Sequence, residues 1–180
     1  SIAREFSAKI FVDGAQGFGA EYKNSSCFYG VEAFCTSFFP AKPLGCFGDG
    51  GAIYTNNSEL ADICRSVRNH GMGDDKYDIK RVGVNGRLDT VQAAVLSCKL
   101  EIFRDELISK RKLLADYTNA FSGVLTPQTT PYDSQSACAQ ATFLLPKGIK
   151  NREFTKKMKK YDIPTMIYYP KTVADQFAYS

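Results

Sequence analysis

Four polar side chains lie close to the ends of two short apolar runs. Asp13 and Gln16 stand three residues apart, just after Lys9 to Val12 (KIFV). Ser37 and Lys42 fall in SFFPAK, at and just past the end of an aromatic and β-branched run that begins at Val31. A carboxylate, an amide, a hydroxyl and an amine together suit an anionic, nitrogen-containing ligand. In open α/β sheets ligands bind at the carboxyl ends of strands, so these groups can converge on one pocket. The glycine-dense stretch Gly45 to Gly51 (GCFGDGG) comes next and reads as a loop or tight turn. It matches neither G-x-G-x-x-G nor a P-loop. Each element alone also has a plain reading: an Asp after a strand is a turn residue, and a Lys before Pro43 is a surface charge. The single histidine, His70, precedes Gly71 and fits a helix end, and no nucleophile elbow accompanies it. The six cysteines form no C-x-x-C pair, so no metal site is expected and they read as reduced, mostly buried thiols.

The elements that must position these groups alternate between the two periodicities. Lys9 to Val12 reads as a buried strand that delivers Asp13 at its end. Val31 to Phe39 is a second strand, closed by Pro40, and Ala52 to Thr55 a third. Asn57 or Ser58 can cap a helix with Glu59 and Asp62 in its first turn and Arg65 and Arg68 near its end. Asn69-His70-Gly71 closes it, and Met72 to Asn85 is polar and turn-rich. Asp89 can cap a long helix, in which Val91, Val95, Leu96, Leu100 and Phe103 recur at helical spacing. The pattern continues through Leu107, Leu113, Leu114 and Tyr117 with Lys110-Arg111-Lys112 on the polar face, and reads as two long helices ending near Phe121-Ser122-Gly123. Residues 122–136 read as a linker or surface loop. Ala137 to Leu145 is a strand, Asn151 to Lys160 an amphipathic helix capped by Asn151, and Ile163 through Tyr169 a last strand. Strands alternating with helices predict an α/β fold, divided into residues 1–121 and 122–180.

Composition narrows the partners. The 180 residues are 44% hydrophobic and 23% charged, which is globular usage rather than that of a disordered chain. The net charge is +4, with a local excess at Lys156, Lys157, Lys159 and Lys160. That cluster reads either as a phosphate patch or as the solvated face of a helix. Glu153 and Asp162 beside it favour the solvated face, and nucleic-acid binding is not expected. No apolar run approaches the ~20 residues of a membrane span, and no signal peptide is read at the N-terminus. A cytoplasmic protein is expected.

Taken together, the segments are specific. VDGAQGFGAEYK, SFFPAKPLGCFGDGGAIYTN, RSVRNHG and VNGRLDTVQAAVLSCKL resemble the DegT/DnrJ/EryC1/StrS family, in that family's order, over residues 9–121. GIKNREFTKKMKKYDIPTMIYYPKTVADQFAY is similar to the family's small domain. The resemblance implies a partial fold-type-I aminotransferase: part of a large domain with a mixed, mostly parallel sheet, and part of a small α+β C-terminal domain. It implies pyridoxal 5'-phosphate as cofactor, and transfer of an amino group from glutamate to a nucleotide-linked keto-sugar in amino-sugar biosynthesis. Lys42 matches the lysine that bonds covalently to the cofactor and moves the proton. Asp13 matches the aspartate that pairs with the pyridine nitrogen. Gln16 matches a neighbour that holds the ring and its phenolic oxygen, and Ser37 a hydroxyl donor to the phosphate. Asn85 matches an asparagine that reaches the partner subunit's cofactor, which implies a homodimer.

The resemblance also sets alternatives and departures. Related sugar dehydratases carry histidine where Lys42 stands, so transamination is the favoured chemistry. The family's portion before the Asp13 strand, which supplies further phosphate and ring contacts, does not occur in this sequence. An inactive remnant or interaction module is therefore the competing reading. The histidine that comes after Y-Y-P in the family is absent from Lys171 to Gln176. Gly14 stands where the family has a small residue such as Ala or Cys, a change expected to be harmless.

Overall fold

The computed structural model describes residues 2–179. In chain order the elements are α1 (Ile2–Glu5), β1 (Phe11–Asp13), β2 (Glu21–Tyr22), β3 (Ser25–Ser26), β4 (Ala33–Ser37), β5 (Gly51–Tyr54) and α2 (Ser58–Arg68). Then come α3 (Thr90–Ala120), β6 (Thr126–Pro127), β7 (Ser134–Gln135), β8 (Phe143–Leu144), α4 (Asn151–Lys159) and a 3₁₀ turn at Phe177–Tyr179. The chain divides into two compact units. One comprises Ser1–Tyr117 and Thr129–Ala141, the other Thr118–Gln128 and Thr142–Ser180. A single cut at residue 121 does not describe this division, because residues 129–141 return to the first unit.

The first unit is built on a three-stranded mixed sheet in the order β1-β4-β5. β1 runs parallel to β4, with Asp13 opposite Cys35, and β5 runs antiparallel to β4, with Gly51 opposite Ser37. One face of this sheet is packed. Phe34 and Thr36 point into it, and the Thr36 hydroxyl donates to the Gly14 carbonyl at 3.2 Å, so its buried oxygen is not left unpaired. The aromatic rings of Phe28 and Phe34 lie 5.1 Å apart, and Phe18 sits 5.3 Å from Phe103 of α3. The core proper is Phe38, Leu44 and Cys46 from the segment after β4, closed by Leu96, Phe103 and Leu107 of α3. These three helix positions share one stripe, which is why the apolar period of the sequence is satisfied here.

α3 is one continuous helix of 31 residues, not the expected pair. No Gly or Pro occurs within it to break the ladder, so the period continues for about 46 Å at 1.5 Å per residue. α2 is capped by Asn57, whose side chain accepts from the Leu60 amide at 3.1 Å; Ser58 is its first helical residue. His70 lies just past the helix end with φ 62°, and Gly71 adopts φ 79° against the Arg81 carbonyl.

The stretch expected to be a linker contains β7, which pairs antiparallel with β2. Arg111 explains why it returns. Its guanidinium donates to the Ser136 carbonyl (3.0 Å), to Gln135 Oε1 (2.6 Å) and to the Gly19 carbonyl (3.0 Å), and lies 3.5 Å from Glu21. A residue read as polar surface is thus a clamp with most of its donors used.

In the second unit, β6 pairs antiparallel with β8, and Phe121 meets Phe143 edge to face at 5.5 Å. The strand expected over Ala137 to Leu145 is much shorter: only Phe143–Leu144 is extended and paired. α4 begins at Asn151, so Asn151 is not its cap; Lys150 holds that position without a side-chain cap bond. Ile163 to Tyr169 forms no strand. The thiols also differ from expectation. All six are free, but only Cys46 is buried, while Cys35 and Cys98 are exposed.

Gly14 is not an indifferent position. A Cβ built on it would occupy the space of the Phe34 ring, which is itself fully buried. Gly14→Ala should therefore destabilise the fold by about 1–3 kcal/mol through overpacking. Phe34→Leu makes room, so the double variant should cost less than the two single changes summed, measured by urea unfolding. Strict additivity would show that the two positions are not packed together.

Candidate active site

Strand alternation puts Asp13, Cys35 and Ser37 on the same face of the β1-β4-β5 sheet. Successive side chains point to opposite faces, and the parallel register sets Asp13 beside Cys35. Phe34 and Thr36 occupy the packed face, so the other face carries Asp13, Cys35 and Ser37, together with the exposed Phe11 and Ile53. Asp13 and Cys35 are exposed there and Ser37 is half-buried. Asp13 and Ser37 thus end adjacent parallel strands on one side. Asp13 Oδ1 accepts from the Ala15 amide at 3.0 Å, and Ser37 Oγ accepts from the Phe39 amide at 3.2 Å. Both bonds turn the chain away at the strand end. The second carboxylate oxygen of Asp13 and the hydroxyl proton of Ser37 have no protein partner among the described residues.

Lys42 is carried on the loop that leaves β4. That loop is closed at its base by the Cys46 amide donating to the Phe38 carbonyl (2.7 Å) and the Phe38 amide donating to the Gly50 carbonyl (2.8 Å). Within it the Lys42 amide donates to the Phe39 carbonyl at 2.9 Å, forming a turn. The Cys46 thiol lies 3.0 Å and 3.2 Å from the Phe38 and Gly48 carbonyl oxygens. Gly45 permits the closure. A Cβ there would stand 2.6 Å from the Pro40 carbonyl oxygen and 2.7 Å from that of Phe39, so only hydrogen fits between these backbones. Phe38 and Leu44 pin the loop into the core on either side of Lys42. The Lys42 side chain is half-buried, and its amine has no hydrogen bond or ion pair among the described residues.

Gln16 lies in the turn after β1, exposed and without a side-chain bond among the described residues. That turn is held by the Gly17 amide donating to the Gly14 carbonyl (2.8 Å) and by Phe18 in the core. Asn85 stands apart. Its backbone bridges to Asn69, and its side-chain oxygen accepts from Arg87 at 3.1 Å. No side-chain hydrogen bond among the described residues joins any two of the five candidate residues. Sequence reasoning missed a second set of residues, Gln92, Lys99 and Lys110, whose side chains reach back from α3 to the Lys42 loop. Their signal was present: they are spaced by about two and about three helical turns.

The model of the DegT/DnrJ/EryC1/StrS aminotransferase family matches residues 1–180. The UDP-2-acetamido-2-deoxy-3-oxo-D-glucuronate aminotransferase of Pseudomonas aeruginosa is 44% identical over 174 residues, covering 94% of this chain and 46% of that protein. The dTDP-3-amino-3,4,6-trideoxy-alpha-D-glucose transaminase of Streptomyces venezuelae is 37% identical over 137 residues, covering 72% and 36%. Among solved structures, a DegT DnrJ EryC1 StrS aminotransferase from Brucella abortus superposes with a TM-score of 0.91 at 40% identity, covering 99% of this chain and 47% of that one. The chain spans less than half the length of each of these proteins.

The closure of the Lys42 loop has a chemical readout. Cys46 is 1% exposed with its thiol against two carbonyls, and burial pushes the Cys27 thiol up, so less of it is thiolate at neutral pH. Iodoacetamide should label Cys35 and Cys98 first, Cys27 later and Cys46 last, as read by peptide mass mapping. Cys46 reacting as fast as Cys35 in folded protein would show that the loop is open.

Proposed function

The chain belongs to the DegT/DnrJ/EryC1/StrS aminotransferase family, and from that premise we propose that it supplies the lysine-bearing part of a pyridoxal-phosphate site. The reaction proposed is transfer of an amino group from glutamate to a nucleotide-linked keto-sugar. The α/β architecture is part of the fold-type-I aminotransferase fold. The observation that carries the reading is the Lys42 amine, without a partner among the described residues, on a loop closed at its base that leaves β4, the strand ending in Ser37.

The open groups fit the cofactor by their chemistry. Pyridoxal phosphate presents an aldehyde, a phenolic oxygen, a basic ring nitrogen and a phosphate. When bound, it supplies an electron sink for the carbon that loses a proton. The Lys42 amine would hold the aldehyde carbon, and its Nζ would serve as the base and acid that moves the substrate proton. The free oxygen of the Asp13 carboxylate would accept from the protonated ring nitrogen and keep the proton there. The Ser37 hydroxyl would donate to a phosphate oxygen, and the Gln16 amide to the phenolic oxygen. Asn85 matches, by the family resemblance, a donor to the cofactor of a partner subunit, and so a homodimer. The six free thiols suit a reducing cytoplasm. Among the described residues, no helix is long and apolar enough to cross a membrane.

Lys42 also favours transamination over sugar dehydration, because it provides the amine that the dehydratases' histidine lacks. The nucleotide-sugar relatives named above support the substrate class.

The test is covalent. The protein bearing this sequence is incubated with pyridoxal phosphate, reduced with borohydride, and digested. The expected result is a pyridoxyl group on the Lys42 peptide. With glutamate and a nucleotide keto-sugar, an amino-sugar and 2-oxoglutarate should form. Lys42→Arg should lower the rate by at least roughly 10²–10⁴-fold, the usual loss when a general acid–base group is removed. A pyridoxyl group found solely on other lysines would falsify the assignment.

A further inference from the structure

The loop that carries Lys42 is held from outside by three side chains of one helix. Lys110 Nζ donates to the Pro43 carbonyl at 3.3 Å. Lys99 Nζ donates to the Gly45 carbonyl at 2.6 Å. Gln92 Oε1 accepts from the Phe47 amide at 2.8 Å. The three partners are alternate residues of the loop, read in the opposite direction to the helix. The helix positions lie on one stripe, because the separations from Gln92 to Lys99 and Lys110 are about two and about five full turns. Leu96, Phe103 and Leu107 run beside that stripe and pack on Phe38, Leu44 and Cys46 of the same loop.

We propose that Gln92, Lys99 and Lys110 are positioning residues that fix the backbone of the Lys42 loop. None touches the reacting atoms; each acts through a backbone group one to five residues beyond Lys42. This rests on the reading that Lys42 bonds to the cofactor and moves the proton. A lysine that must reach two carbons in turn needs a fixed root with a mobile tip. The unpartnered amine of the half-buried Lys42 leaves the tip free to move, and the three bonds from α3 make the root. Misplacing such a group by a fraction of an ångström is enough to cost rate. Lys99 has the central place. Its ammonium is partly buried and lies on the carbonyl of Gly45, the residue whose missing side chain lets the loop close. Gln92 accepts from an amide that would otherwise face solvent next to the exposed Phe47 ring.

The experiment compares Gln92→Leu with Gln92→Glu, and Lys99→Met with Lys99→Arg. The first of each pair removes the bonding group; the second keeps an acceptor or a donor. Two readouts are taken. Native-state hydrogen exchange at the Phe47 amide should accelerate by roughly 2- to 12-fold in Gln92→Leu, the range set by losing one net hydrogen bond. It should stay near wild type in Gln92→Glu. In steady-state kinetics, Lys99→Met should lower kcat by about tenfold with little change in KM for the keto-sugar, and Lys99→Arg should recover most of the loss.

Unchanged exchange and kcat in Gln92→Leu and Lys99→Met would overturn the proposal. So would equal losses in Lys99→Met and Lys99→Arg with faster exchange throughout the first unit, since that pattern marks a role in folding alone. Borohydride trapping on wild-type protein separates this failure from that of the site assignment. If Lys42 is not the residue trapped, the cofactor reading falls, while exchange at Phe47 still decides whether α3 fixes the loop.

Discussion

The seating of one loop on one helix is the constraint on which the rest of the first unit depends. Phe38, Leu44 and Cys46 leave water only because α3 presents Leu96, Phe103 and Leu107 to them. Burying a Phe or Leu side chain contributes about 1.5–3 kcal/mol, against about 0.5–1.5 kcal/mol net for a neutral hydrogen bond. The apolar contact therefore fixes the loop's position, and the polar bonds fix its orientation. An amine placed between two buried anchors can be well located while its own tip stays free. The same contact orders the sheet, since Phe38 continues directly from β4 and Phe18, after β1, packs against the same cluster.

The polar side of the unit depends on alternation. Because β4 places Phe34 and Thr36 inward, it places Cys35 and Ser37 outward. The parallel neighbour then brings Asp13 to the same open face without any direct bond between the two side chains. One face thus holds the sheet to the protein while the other presents functional groups at the strand ends, where open α/β sheets receive ligands.

Much of this was legible in the residues. The Asp13 and Ser37 strand ends, the Gly45 to Gly51 turn and the cap of α2 all rest on local signals: apolar runs, glycine, and an amide before a helix. What was not legible depends on distant partners. The apolar period could not show one helix rather than two, because continuity is recognised by what is absent from the interior. Residues 134–135 have turn-like composition, and they become a strand only because Arg111 and β2 meet them. Asn151 looks like a cap by type, but the chain already turns at Lys150. Among the candidate residues, Lys99 and Lys110 were hidden because charged residues on a helix usually face water. Their carbonyl partners are more than fifty residues away in sequence.

Gly14 and Phe34 have a consequence for how such a sequence can change over generations. The large ring fills the place that a side chain at position 14 would need. A lineage that exchanges this glycine for alanine is expected to shrink the ring first, since the reverse order passes through a crowded intermediate. Position 14 directly succeeds Asp13, so the ancestry of a buried phenylalanine constrains which neighbours the Asp13 carboxylate can ever acquire. Drift in the interior thus sets the order in which the surface of the site is free to diversify.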